Sequence, residues 1–282
     1  MHRRYAQRVT DAAERPPHAA ADWHVSREIA VPRLLALHGD RLYGLARRLC
    51  GTPEQAQDVV QETFVQAWRA WDQFAGRSDP IVWLYTIARH ACQRLHRPRS
   101  GAPQQLASLD EPGPFGEPLV AVVPGGDDTM DEVLRRERID AVGAAITELP
   151  DEFRLPLILK DVVGFSLADV AQVLDIKEAT AKTRVHRARL RLRDVLAEGL
   201  PKRALPPPAY SRQVCLDLLR TKLDCIDRGV PMPNADEIVC ERCRAVFATL
   251  DLTADVCQRL TRETMPEPLR AALAQQFAGA AG

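Results

Sequence analysis

From Val31 onward, apolar residues recur at helical spacing, and Leu34, Leu35, Leu42, Leu45, Ala46 and Leu49 share one face. Gly51, Thr52 and Pro53 interrupt this pattern. Thr52 is placed to cap the next helix and Pro53 to open it, and that helix is expected to run to about Trp71. Along it, Val60, Phe64, Ala67 and Trp71 form an apolar stripe, while Asp58, Gln61, Glu62 and Gln66 leave a polar, mildly acidic face. A loop over residues 76–80 leads to a further helix from about Ile81 to His96. Residues 98–128 are rich in Pro and Gly and hold no sustained period, which is the composition of a linker. Helical periodicity resumes near Met130 and continues to about Leu200. No stretch alternates as a strand would. The expected fold class is therefore all-α, with two small helical domains joined by a linker and followed by a small helical domain rich in cysteine. The boundaries expected are a loose tail over 1–28, a first domain over 29–97, the linker over 98–130, a second domain over 131–200 and an extension over 205–282.

The second domain carries the strongest local pattern. Leu167, Val170, Ala171 and Leu174 mark a short helix, Asp175 to Lys177 a turn, and a second helix follows that holds Lys182, Arg184, His186, Arg187, Arg189, Arg191 and Arg193. This is the layout of a helix-turn-helix, whose second helix enters the major groove of DNA. Lys182, Thr183, Arg184, His186 and Arg187 are the candidate contacts. The segment Leu149 to Lys160 just before it is expected to be a helix, with Phe153, Leu157 and Ile158 packed toward the motif. In the first domain, Phe74, Trp83 and Tyr85 are interleaved with Arg77, Arg89, His90, Arg94 and Arg97. Aromatic rings among bases suit stacking on unpaired bases, although most of these rings are expected to fill a small core.

Bulk properties sharpen this only through their distribution. The 282 residues are 46% hydrophobic and 27% charged with zero net charge, as in an ordinary globular protein. Bases nevertheless cluster after Lys177, and acids gather in the middle at Asp110, Glu111, Glu117, Asp127, Asp128, Asp131 and Glu132. No apolar run is long enough to span a bilayer. No apolar stretch follows Met1, His2, Arg3 and Arg4, so no secretory signal and no membrane partner are expected. The expected location is cytoplasmic, which makes a disulfide framework a poor use for the seven cysteines. There is no glycine-rich phosphate loop, no His-Glu-x-x-His and no nucleophile arrangement, so an enzyme is not expected.

Taken together, these segments resemble the extracytoplasmic-function (group 4) sigma factors. Asp58 to Phe64 is similar to that family's region 2.2 helix, and Trp83 to Arg89 to its region 2.3. Leu149 to Arg154, Gly164 to Ala171 and Thr180 to Arg189 are similar to region 4. The resemblance implies a dissociable initiation subunit of RNA polymerase with no catalytic residues of its own. Asp58, Gln61, Glu62 and Phe64 would bind the β′ coiled coil of core polymerase, and the β flap would be a second polymerase contact. Trp83, Arg89, His90, Arg94 and Arg97 would bind the non-template strand of the −10 element, including a flipped base. Thr180, Lys182, Thr183, Arg184, His186 and Arg187 would read the −35 duplex. An anti-sigma factor is a further partner of such proteins. His90 stands where the family often has Asn, Arg94 where it often has Asp, and Ala179 and Ala181 where the turn usually has Gly and Val. These departures bear on which bases are read. A stand-alone helix-turn-helix regulator with a metal-sensing domain is the competing reading.

The extension holds Cys215, Cys225, Cys240, Cys243 and Cys257. Cys240 and Cys243 have the two-residue spacing of half a zinc site. With Cys215 and Cys225 upstream, four thiolates are the expected ligand set for zinc or another thiophilic metal. The pattern also resembles the zinc-binding anti-sigma domain, although Asp236 stands where that domain has His. A dithiol switch and plain burial of small apolar side chains remain alternatives. The extension is expected to act as a built-in regulator.

Overall fold

The computed structural model describes residues 23–50, 52–74, 76, 78–95, 140–198, 207–260 and 263–279. Among them no strand occurs, and the fold is all-α. The helices are α1 (Arg27–Leu49), α2 (Pro53–Ala70), α3 (Pro80–Leu95), α4 (residues 140–148), α5 (Asp151–Leu157), α6 (Leu167–Leu174), α7 (Glu178–Glu198), α8 (Arg212–Arg228), α9 (Ala235–Ile238), α10 (Glu241–Arg259) and α11 (Glu267–Gly279). Arg97 and the 98–130 linker lie outside the described residues. No helix among the described residues is long and apolar enough to cross a membrane.

The described residues fall into two compact units. One gathers those within 17–105, 158–181 and 260–282, and the other those within 106–157 and 182–259.

In the first unit, α1, α2 and α3 pack through the apolar positions that the periodicity marked. Leu34, Leu42, Val60, Phe64, Leu84 and Tyr85 are fully buried. The break before α2 works as its residues dictate: the Thr52 hydroxyl accepts the Gln55 N–H at 3.3 Å and Pro53 occupies the first turn. At the end of α2, Trp71, Phe74 and Trp83 cluster with ring centroids 5.2–5.7 Å apart. The rings of this segment thus stabilise the fold, as expected for most of them. α11 belongs to this unit and packs on α1 and α2. It buries Leu269, Leu273 and Phe277, one helical stripe. Phe277 stacks on Trp68 at 5.0 Å, and Arg270 and the Met265 N–H both bond to Asp40. Glu263 pairs with Arg47 and Arg48, each at 3.5 Å.

Pro156 shapes the approach to the helix-turn-helix. Lacking an N–H, it cannot extend the α-helical ladder of α5. The chain widens into a π-helical turn, Ile158–Val162, with the Val163 N–H bonding to the Ile158 carbonyl at 2.8 Å. Ser166 and Asp169 then form a capping box that starts α6. Asp175 ends α6 in the left-handed region (φ 55°), which short polar side chains tolerate, and the chain turns into α7.

In the second unit, α8 and α10 enclose an apolar core of Cys215, Leu219, Leu223, Cys225, Val246, Phe247 and Leu250. Leu190 of α7 packs against the same core.

Candidate nucleic-acid interface and thiol cluster

The residues expected on the polar face of α2 separate by depth. Asp58, Gln61 and Glu62 are exposed. With Val59, Val65, Ala91, Arg94 and Leu95 they line a groove of about 450 Å³ between α2 and α3. Its floor is apolar and its rim charged, with Arg94 paired to Glu62 at 3.2 Å. Phe64 is a correction. It is fully buried and cannot touch a partner, because position 64 belongs to the apolar stripe of α2 that packs inward.

On α3, Trp83 is half-buried, and His90 and Arg94 are exposed. Arg89 is engaged within its own unit. Its guanidinium donates to the Leu174 carbonyl at the end of α6 (2.9 Å) and lies 2.7 Å from His90 Nε2. Carbonyls at a helix C-terminus lack helical partners, and a cation there is favourable. Burial pulls the Arg89 guanidinium below its usual range, and nearby Asp175 opposes this. Burial, then Arg89 and Arg94, hold His90 below the usual imidazole range and so favour its neutral form. Tyr85, deeply buried, stacks edge-on against Phe165 at 4.9 Å, and its hydroxyl has no hydrogen-bond partner among the described residues. Burial raises its ionisation well above the usual phenol range. It is a core residue.

The basic helix α7 presents its bases on separate faces. Thr183 and Arg187 are exposed, and Thr180 is half-buried. Arg184 reaches toward Glu152 at 3.7 Å. Lys182 pairs with Asp224 at 2.8 Å, and His186 Nε2 lies 2.7 Å from Asp227. Arg189, almost fully buried, donates to the other Asp227 oxygen at 2.6 Å. Burial alone would raise the Asp227 carboxyl, but His186 and Arg189 together hold it below the ordinary range. Asp224 and Asp227 were not among the expected site residues. Their spacing of three on one helix was the signal in the sequence.

Of the four expected metal ligands, Cys243 lies beside both Cys240 and Cys215, but the three sulfurs do not all lie within 4.8 Å of one another. The Cys243 thiol is hydrogen-bonded to both Cys240 and Cys215 at the start of α10. Burial, then the neighbouring Cys240, push Cys243 up to about 12. Cys240 is half-exposed. Burial would raise it, but N–H groups of Ala209, Cys243 and Arg242 and the Cys243 thiol draw it below the usual range. Cys225 is a correction. It lies ten residues beyond Cys215 on the continuous helix α8, about 15 Å along the axis. Two sulfurs on one zinc lie less than about 5 Å apart. Cys225 instead lies 3.7 Å from a guanidinium nitrogen of Arg228. Among the described residues, the one group of three or more potential ligands with all ligand atoms within 4.8 Å is His186, Asp224 and Asp227.

Comparison with known proteins gives this arrangement its family. The chain matches the models described as Sigma-70 region 2 over residues 34–101 and Sigma-70, region 4 over residues 139–192. It is similar to the ECF RNA polymerase sigma factor SigW of Bacillus subtilis, at 30% identity over 58% of this chain and 88% of that protein. It is also similar to the ECF RNA polymerase sigma factor SigM of Mycobacterium tuberculosis, at 30% identity over 66% of this chain and 85% of that protein. Among solved structures, a match is found to CnrH in complex with the cytosolic domain of CnrY, with 24% identity, 68% of this chain, 96% of that chain and a TM-score of 0.43. The chain belongs to the sigma-70 family of RNA polymerase sigma factors, in the extracytoplasmic-function (ECF) subfamily. Such proteins are DNA-binding transcription-initiation factors and not enzymes. The extension from residue 205 onward lies beyond both family matches.

Proposed function

We propose that this sigma factor docks on core polymerase through the groove between α2 and α3, reads the −35 duplex with α7 and engages the −10 strand with α3. Core polymerase and promoter DNA are its partners, and the cytoplasm, where polymerase works, is its location. The groove carries this reading. It offers an apolar floor with Asp58, Gln61 and Glu62 exposed at its rim, which suits a helical partner with basic residues. The test is a pull-down with core polymerase, together with run-off transcription. Replacing Asp58 and Glu62 by Ala should leave the helical content intact and weaken core binding about tenfold, as for loss of one or two interfacial charge pairs. Unchanged core binding would overturn the proposal.

The extension is read as a regulatory domain that responds to a thiophilic metal, zinc first. Cys215, Cys240 and Cys243 would hold the ion, and Cys225 takes no part. A soft ion bound by thiolates would tie the start of α8 to the start of α10. Elemental analysis of the purified protein checks this. The wild type should carry metal, and a variant with both Cys240→Ser and Cys243→Ser should lose it. Equal metal content in the two proteins would remove these residues as ligands.

A further inference from the structure

Lys182, His186 and Arg189 stand at positions i, i+4 and i+7 of α7, a single stripe of the helix. Asp224 and Asp227 stand at i and i+3 of α8. The two stripes meet. Lys182 Nζ lies 2.8 Å from Asp224, His186 Nε2 2.7 Å from Asp227, and the Arg189 guanidinium 2.6 Å from the second Asp227 oxygen. The Asp227 side chain is 6% exposed, so its charge is desolvated and both its oxygens are used. Leu190, next to this stripe, packs on the core of α8 and α10. α8 is thus seated on α7 by apolar contact as well as by charge.

The location matters. A recognition helix contacts DNA chiefly through its first turns, and Lys182 and His186 belong to the first nine residues of α7. Carboxylates accept the same hydrogen bonds from lysine, histidine and arginine that phosphate oxygens accept. The His186, Asp224 and Asp227 group also has the spacing of a cation site. Lys182 and Arg189 already neutralise its two carboxylates, however, and would repel a metal ion.

We propose that α8 is an intramolecular competitor for DNA, with Asp224 and Asp227 occupying on Lys182, His186 and Arg189 the places that backbone phosphates take in a promoter complex. This deepens the reading of α7 as the −35 helix and rests on it. Occupancy of α7 by α8 and by duplex DNA are mutually exclusive, so the extension sets the affinity of the whole chain for DNA.

The experiment uses the full chain and a short duplex of randomised sequence, because the phosphate contribution is independent of base sequence. Affinity is followed by fluorescence anisotropy across a salt series. Asp224→Asn combined with Asp227→Asn should raise affinity about tenfold and steepen the salt slope by roughly two, near 0.9 for each phosphate newly contacted. Asp224→Asn alone, at a half-exposed position that folding tolerates, should give a smaller gain of about threefold, again by added phosphate contact. Asp236→Asn with Glu237→Gln makes the same change in net charge on exposed residues of α9 and should give no comparable gain. Arg187→Ala should weaken binding in every background. If both Asp224 variants keep wild-type helicity and bind no better than wild type, or if the α9 control gains as much, the competitor is overturned while α7 remains the DNA helix. If Arg187→Ala changes nothing and no variant responds to salt, both readings fall.

Discussion

Asp227 brings opposing effects together at one side chain. Burial favours its neutral form, while His186 and Arg189 favour the carboxylate, and the pair of donors wins. A carboxyl held lower in the folded than in the unfolded state contributes stability at pH values above its unfolded value of about 3.9. That contribution is lost as the pH falls through the depressed folded value. Urea midpoints measured from neutral to acid pH should therefore drop more steeply for the wild type than for Asp227→Asn below about pH 4. Parallel curves would mean that Asp227 titrates alike in the two states. The same contest explains what residue type concealed elsewhere. Phe64 and Tyr85 sit in segments that resemble functional motifs, yet each is fully buried and serves the core. Arg89 reads as a DNA contact in a list of bases, but it caps α6.

At the scale of elements, periodicity and caps located the helices well. Thr52, Pro53 and the apolar stripe of α2 specify that helix from neighbours within a few residues, and the structure follows them. α1 begins at Arg27, a turn before the apolar period starts at Val31; the Ser26 side chain does not cap it, but its carbonyl accepts the Ala30 N–H at 2.9 Å and Glu28 places an acid in the first turn. The partner of α11 was not legible in this way. Its stripe of Leu269, Leu273 and Phe277 announces a buried face without saying what buries it. The structure places Phe277 on Trp68 and Arg270 on Asp40, far away in sequence. Phe277→Ala should remove a buried ring and its stack, costing about 3 kcal/mol where α11 meets α1 and α2. Faster hydrogen exchange along α11 and a red-shifted tryptophan emission are the expected signs. Unchanged exchange would show that Leu269 and Leu273 hold the helix without the ring.

At the scale of the whole molecule, each unit contains a piece of the extension. α11 packs on α1 and α2, and α8 to α10 form the core that receives Leu190 of α7. The extension is therefore built into both units and is not an appended tail. The sequence by itself determined the all-α class, the helix-turn-helix, the exposed face of α2 and the pairing of Cys240 with Cys243. These depend on spacings of a few residues, which the 3.6-residue helical repeat and local capping translate directly into faces and ends. Only the tertiary structure decided that Phe64 is core, that Cys225 is about 15 Å along α8 from Cys215, and that Asp224 and Asp227 hold the basic stripe of α7. Those outcomes depend on which helices pack together, and a helix face records its chemistry but not the distant face that will meet it.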